Sequence, residues 1–350
     1  MQSQTFAPPS HIARRSFLQL SALSAGALSG MSATALAAPS ARLPKYEAEA
    51  IQSATAANGT QSTGGYSFSI GKIKAMGFND GFGAMPIQPT FAPEATPEEL
   101  KTVLTANYHS LDTASMQFNV LLLKIGSENV LIDTGNGASG ANPSGLIANM
   151  NAAGIKQESI TAIYISHGHP DHLFGLVGEK DAPAFPNARI FINKTEHEYW
   201  MTSNINFGDV AVPEEWKKAW SVRMPAILNS LKSKLELVNE GDKTFDGIEL
   251  INTPGHTPGH MSILIRDGSD SLMAMGDLAH NRVIMLARPD WTIGFDFDRK
   301  QAVATRRKLF DRIANDRLRV FAYHLPWPGL GNINRVGSDS FHWLIEPWAW

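Results

Sequence analysis

Four short apolar runs, far apart in the chain, each stop at a residue able to bind a metal ion. "TAIYIS" runs into His167, "IELINTPG" into His256, "SLMAMG" into Asp277 and "RVFAY" into His324. Runs of this length, rich in branched and aromatic residues, read as buried strands. Strand ends on one edge of a sheet lie close in space, and the loops there carry most active sites. The chain is therefore constrained to an architecture that brings four separate ends to one edge.

The remaining pattern says what surrounds those strands. "YSFSIGKIKAMGF" alternates like a strand, and the following "NDG" reads as a turn. "QFNVLLLKIGSENVLIDTG" reads as two buried strands around a polar turn. "ATPEELKTVLTAN" predicts a helix capped by Thr96, with Glu99 three residues on to complete a capping box. "ARIFINK" is a strand, and "TEHEYWMTS" opens a helix at Thr195. "EEWKKAWSVRMPAILNSLK" is helical with a kink expected at Pro225. "DRKQAVATRRKLFDRIAND" is an amphipathic helix capped by Asp298. Strands followed by alternating strands and helices imply an α/β chain in which sheets are covered by helices.

One of the four strand ends is unusually dense. "SHGHPDH" (166–172) packs His167, His169, Asp171 and His172 into six residues. His167 and His169 can face one ion across a tight turn, with Gly168 freeing the backbone between them. Asp171 and His172, after Pro170, would face a second. Asp277 is the natural carboxylate to bridge two ions roughly 3.5–4 Å apart in a two-metal hydrolytic centre. The chain has no cysteine, so any metal must be held by nitrogen and oxygen, which excludes thiolate zinc and iron–sulfur sites. A lone His-x-His pair is more often structural. The full loop, with three distant partners at strand ends, favours metal binding.

Composition narrows the class. The 350 residues are 43% apolar and 18% charged, with a net charge of −3, as in an ordinary globular protein. No basic cluster with interleaved aromatics is present, so nucleic acid is not an expected partner. The N-terminus carries Arg14-Arg15, a weakly apolar run and Ala35-Leu36-Ala37. This is similar to a bacterial twin-arginine export signal. The expectation is a leader over 1–37 that engages the twin-arginine machinery, a flexible Ala/Ser/Thr/Gly-rich linker over 38–65, and one domain over 66–350. The mature protein would then be periplasmic. The run is too weakly apolar for a stable membrane anchor.

With these residues quoted, the chain resembles the metallo-β-lactamase-fold hydrolases from about Tyr66 to its end. The motifs are "LIDTG" (131–135), "SHGHPDH" (166–172), "TPGHTPGH" (253–260), "MGD" (275–277) and "YHLPWPGLGNI" (323–333). The last of these, with "AFPNARIFINKTEHEYW", is similar to the branch that holds methyl parathion hydrolase and related lactonases. The resemblance implies an αββα sandwich, two divalent metal ions with zinc expected, and often a homodimer. It assigns His167, His169 and His256 to one ion, and Asp171, His172 and His324 to the other, with Asp277 between them. It also implies that Asp133 and His260 stand behind the ligands and orient them by hydrogen bonds. Flavo-di-iron relatives carry an acid in place of His169, and true β-lactamases lack the aspartate at 277. Nucleases of this fold add a domain and a basic surface.

The implied activity is hydrolysis of a small neutral ester or lactone by a metal-bridging hydroxide, with phosphotriesterase activity as a side capacity. Asp171 and Asp277 are the candidate catalytic carboxylates. The alternative is a dedicated organophosphate hydrolase. A non-catalytic periplasmic binding protein and a mononuclear iron oxygenase are the readings from other classes. For the pocket, the resemblance points to Trp200. Trp216 and Trp220 lie four apart on one helix face, Phe207 is near in sequence, and His280 follows Asp277 by three. Core packing is an equal reading for each aromatic.

Overall fold

A computed structural model describes residues 64–138 and 144–347. The expected leader over 1–37 and the linker up to residue 63 lie outside the described residues. Among the described residues, strand pairing begins at Gly65, which faces Phe78.

Thirteen strands among the described residues form two sheets. The first contains β1 (Gly65–Ile70), β2 (Ile73–Pro86), β3 (Thr113–Ile125), β4 (Glu128–Ile132), β5 (Ala162–Ile165), β6 (Arg189–Asn193) and β7 (Leu235–Val238) in that order. Its β1 to β4 half is antiparallel and its β4 to β7 half parallel. The second sheet runs β13 (Ser340–Ile345), β12 (Leu330–Val336), β11 (Arg319–Phe321), β10 (Asp270–Ala274), β9 (Met261–Asp267) and β8 (Ile248–Asn252). Only its β10–β11 pair is parallel.

The side-chain period of two explains the layering. In β5, Ala162 and Tyr164 join a core with Leu250, Ile263 and Phe321 of the other sheet. Ile163 and Ile165 point the opposite way, into a second core. That second core is covered by α2 (Leu146–Ala152) and α5 (Glu214–Ser230) through Met150, Met224 and Ile227. A third core lies on the far face of the second sheet. There Leu264, Met273 and Val320 meet α1 (Pro97–Ala106) and α7 (Arg299–Asn315) through Leu104, Leu309 and Phe310. The result is an αββα sandwich. Three shorter helices, α3 (Pro170–Leu173), α4 (Lys194–Trp200) and α6 (Ile284–Ala287), sit on the loops.

The expected capping box forms, with the Glu99 amide donating to Thr96 and the Thr96 amide to Glu99. Asp298 caps α7 through the Gln301 amide. Several local expectations are corrected. "NDG" is no turn: β2 continues through it, with a bulge between Asn79 and Gly81. The Asp80 side chain turns inward there and accepts hydrogen bonds from the Asn136 and Leu146 amides at 2.7 and 3.0 Å. Helix α4 is capped by Asn193, one residue before Lys194, through the Thr195 amide. Strands β7, β12 and β13 were not among the expected elements.

Candidate metal centre

Each motif residue arrives just past a strand. His167 follows β5 by two residues, and His169 is the residue before α3, whose first position is Pro170. His256 follows β8, Asp277 follows β10 and His324 follows β11. All seven residues expected to bind metal converge. His167, His169, His256 and Asp277 offer ligand atoms within 4.8 Å of one another, and so do Asp171, His172 and His324.

The backing of each imidazole decides which nitrogen faces inward. His172 Nδ1 donates to Asp133 at 2.8 Å, His256 Nδ1 to Asp296 at 2.8 Å and His324 Nδ1 to the Gln117 carbonyl at 2.9 Å. That leaves the three Nε2 atoms free to point into the cluster. His169 instead turns its Nδ1 inward, 3.0 Å from both His167 Nε2 and His256 Nε2. Asp277 Oδ2 lies 3.6 Å from His167 Nε2 and 3.3 Å from His256 Nε2. Tetrahedral ligands at 2.0–2.1 Å from zinc would stand about 3.3 Å apart. The spacing therefore fits one ion held by three nitrogens and one oxygen.

The second group closes around the same carboxylate. Asp277 Oδ2 is 3.0 Å from His324 Nε2, and Oδ1 is 3.2 Å from His172 Nε2. Asp171 Oδ2 is 3.4 Å from His324 Nε2 and 3.5 Å from His172 Nε2. His172 Nε2 and Asp277 Oδ1 are both buried, and neither makes a hydrogen bond. Buried polar atoms are otherwise almost always paired. A shared cation would satisfy both.

Charge points the same way. Asp133, Glu196, Asp277 and Asp296 are buried around the cluster, and Arg306 is the fixed cation beside them. Burial opposes charge on His172, but Asp277, Asp133 and Asp171 still hold that imidazole well above its ordinary range. Burial likewise opposes charge on His256, while Asp277 and Asp296 lift it to about 9. Asp277 is buried, yet the surrounding imidazoles hold its carboxyl well below the usual range. Burial, with neighbouring imidazoles, drives His167 and His169 well down, so these two remain neutral ligands. The cluster is an excess of buried negative charge ringed by imidazoles, the donor set that divalent zinc-like cations take.

Asp133 and His260 stand behind the cluster. Asp133, at a φ of 64°, also accepts the Ser166 amide at 2.8 Å. His260 Nε2 accepts the Asp277 amide at 3.0 Å, so it holds the backbone that carries the central carboxylate. Three contributors carried no signal in the sequence. Asp296 lies forty residues beyond the histidine it orients. Arg306 is buried and donates to the carbonyls of Leu278, Pro289 and Trp291. Glu196 is buried in the first turn of α4. Each is an ordinary charged residue in its local pattern, and only the tertiary contacts single it out.

A cavity of about 550 Å³ opens over the cluster. Met116, Phe118, Phe174, Trp220 and Phe295 make its wall largely apolar, with Asn136 and Arg223 as polar members. Arg223 is paired with Asp181 at 2.7 Å. Of the expected pocket residues, Trp216, Trp220 and His280 line the cavity. His280 goes deeper than expected. It is buried, its Nε2 lies 3.1 Å from Asp277 Oδ2, and its ring stacks on His324 at 4.8 Å. Trp200 and Phe207 are corrected to packing roles. Trp200 is fully buried under the histidine loop with its indole N–H on Glu196. Phe207 stands behind the wall, against Trp220 and Phe297.

Residues 116–324 match the sequence profile of the Metallo-beta-lactamase superfamily. An N-acyl homoserine lactonase of Bacillus sp is 31% identical over 157 residues, which is 39% of this chain and 53% of that protein. The chain thus spans about half the length of that curated relative. Among solved structures, AidC, a dizinc quorum-quenching lactonase in complex with a product, is 32% identical with a TM-score of 0.77. That likeness covers 82% of this chain and 98% of AidC. The hydrolase AbOPH is 26% identical with a TM-score of 0.73, over 83% of this chain and 100% of its own.

Proposed function

The chain belongs to the metallo-beta-lactamase superfamily, and from that premise we propose that it is a two-metal hydrolase of small, neutral lactones or esters. The observation that carries this reading is the position of Asp277. One carboxylate lies within 3.6 Å of His167 and His256 and within 3.2 Å of His172 and His324, at the floor of an apolar cavity. His167, His169 and His256 would hold one ion, and Asp171, His172 and His324 the other, with Asp277 shared. Two such ions, zinc expected, supply Lewis-acid polarisation of a substrate oxygen and a water acidified toward roughly pKa 7.

The chain's own residues do the rest. The apolar wall admits a neutral body and excludes water from the floor. Among the described lining residues the one arginine, Arg223, is paired with Asp181, which suits a neutral substrate better than an anionic one. Asp171, partly exposed, and Asp277, buried, are the two carboxyls expected to carry a proton, and neighbouring imidazoles hold both below the usual carboxylate range. Their resting state is the anion, which is able to accept one. The lactonase relatives support a lactone as the substrate class.

A second reading, a dedicated organophosphate hydrolase, rests on Trp216 and Trp220, whose rings stand 6.3 Å apart at the wall and suit an aryl leaving group. One experiment separates these readings. Metal is counted, removed by prolonged chelation, and the protein is assayed on lactones, aryl esters and phosphotriesters before and after. Two zinc-like ions per chain with lactone turnover lost on chelation is the expected result. Full activity in verified ion-free protein would end the proposal. A single iron would favour an oxygenase, and metal without turnover a binding protein.

A further inference from the structure

Behind the cluster, away from the cavity, the two loops that carry the first histidine group meet at one side chain. Glu196 Oε1 accepts the Gly168 amide and the Trp200 indole N–H, each at 2.8 Å. Its Oε2 accepts the Thr257 hydroxyl at 2.7 Å and the Gly259 amide at 2.8 Å. Gly168 sits between His167 and His169, and Thr257 and Gly259 sit between His256 and His260. The carboxylate therefore spans both loops. Four donors fill its four lone-pair sites, so it has no capacity left for an ion, a proton or a substrate. Glu196 is fully buried and is not part of the cavity wall.

The motif glycines fit this contact. A Cβ at Gly259 would lie 2.2 Å from the Glu196 backbone nitrogen, and a Cβ at Gly168 would lie 2.1 Å from the Trp200 indole nitrogen. Both loops press directly onto α4, and only glycine permits the approach. Thus "HGH" and "HTPGH" each contain a glycine where α4 meets the loop. The pairing Glu196/Trp200, one helical turn apart, is the helix's half of the joint.

We propose that Glu196 is the positioning residue of the three-histidine half of the centre: its carboxylate fastens the 166–169 loop to the 256–260 loop and so fixes the spacing of His167, His169 and His256. The proposal rests on the metal reading above. Its physical basis is that buried hydrogen bonds to a charged acceptor are strong, and replacing that acceptor leaves several buried donors unpaired at once. Partners outside the ligand set change metal affinity by roughly 10–100-fold when removed.

The test is Glu196→Gln in the full chain. The amide keeps the shape but turns one oxygen into a donor facing donors. Affinity for each of two ions is read by chelator competition, and the geometry of the half-site by the visible spectrum of the cobalt-loaded protein. The expected result is one ion held about 10–100-fold more weakly, with the other near its wild-type affinity and an altered cobalt spectrum. A folded variant holding both ions within twofold, with an unchanged spectrum, would overturn the assignment. Equal weakening of both ions would also overturn it, because that marks general loosening. If Glu196→Gln does not fold, Thr257→Val removes a single donor. It should weaken the same ion selectively, and wild-type affinity for that ion would overturn the proposal. Wild-type protein that holds no divalent ion would overturn both this assignment and the metal reading. Two ions in wild type with an indifferent Glu196→Gln would overturn this assignment alone.

Discussion

The two halves of the centre are built differently around one shared carboxylate. The first half, His167, His169 and His256, is all imidazole and buried, and is backed by Asp296 and by Glu196 through the loop backbone. The second half, Asp171, His172 and His324, contains an anion whose side chain keeps 20% of its exposure. It is backed by Asp133, by the Gln117 carbonyl and by the Tyr323 hydroxyl, which donates to the Asp171 carbonyl. The first half is held from behind and reaches the cavity through His169. The second faces the cavity and brings its own negative charge. The difference teaches that two ions held here should not be equivalent: one would sit among imidazoles backed from behind, the other beside a partly exposed carboxylate.

The largest expected effect removes what the halves share. Asp277→Ala should cut turnover by on the order of 10²–10³-fold or more, the scale for losing a group that organises transition-state charge. It should also lower the metal content of both halves. An intact rate would remove Asp277 from the centre. Next in size, the backing residues should separate the halves. Asp133→Asn should weaken mainly the ion of the second half and Asp296→Asn mainly that of the first, each by about 10–100-fold. If both variants release the same ion first, the halves are not independent. Smaller still is the difference in exchange. In wild-type protein under a limiting chelator, the ion near Asp171 should leave first, because that side chain alone among the seven is not buried. Simultaneous loss would erase the distinction.

Most of the floor was legible in the sequence, and most of its support was not. His167, His169, Asp171 and His172 stand together in one loop, and His256, Asp277 and His324 end apolar runs. Their chemistry and their strand-end placement point to the same spot. The sheets and their covering helices were legible too, because strands such as β5 are apolar on both faces and α1 and α7 carry their own caps. Strands β7, β12 and β13 escaped because they mix polar residues into short runs and depend on partners elsewhere in the sheet. Asp80 shows the same limit. Asn-Asp-Gly is a sound local turn signal, but buried hydrogen bonds from the Asn136 and Leu146 amides to Asp80 outweighed it. Glu196, Asp296 and Arg306 were invisible for a related reason: a charged residue on a helix or loop has an ordinary solvated reading unless its partners are known.

The cavity wall gives the smallest of the expected effects and the sharpest contrast with the floor. Trp200, from the resemblance, and Trp220, from its helix spacing, were both candidates for the wall by sequence. The structure separates them: Trp220 lines the cavity, with its ring 5.4 Å from that of His169, whereas Trp200 is buried beneath the loop and bonded to Glu196. Truncating Trp220 to leucine removes apolar contact with the substrate body but no hydrogen bond to the histidine loops. It should raise KM by about tenfold, the scale of a modest loss of pocket surface, and leave kcat within a few-fold. Trp200→Leu removes a donor from Glu196 and leaves a space beside Gly168. Its effect should therefore fall on metal content and thermal stability, with KM in fully metal-loaded protein little changed. Steady-state kinetics on metal-saturated samples, beside metal analysis of the same samples, reads both. If Trp220→Leu lowered metal content and Trp200→Leu raised KM, the assignment of wall and foundation would be reversed. The aromatic helix would then support the centre, and α4 would choose the substrate.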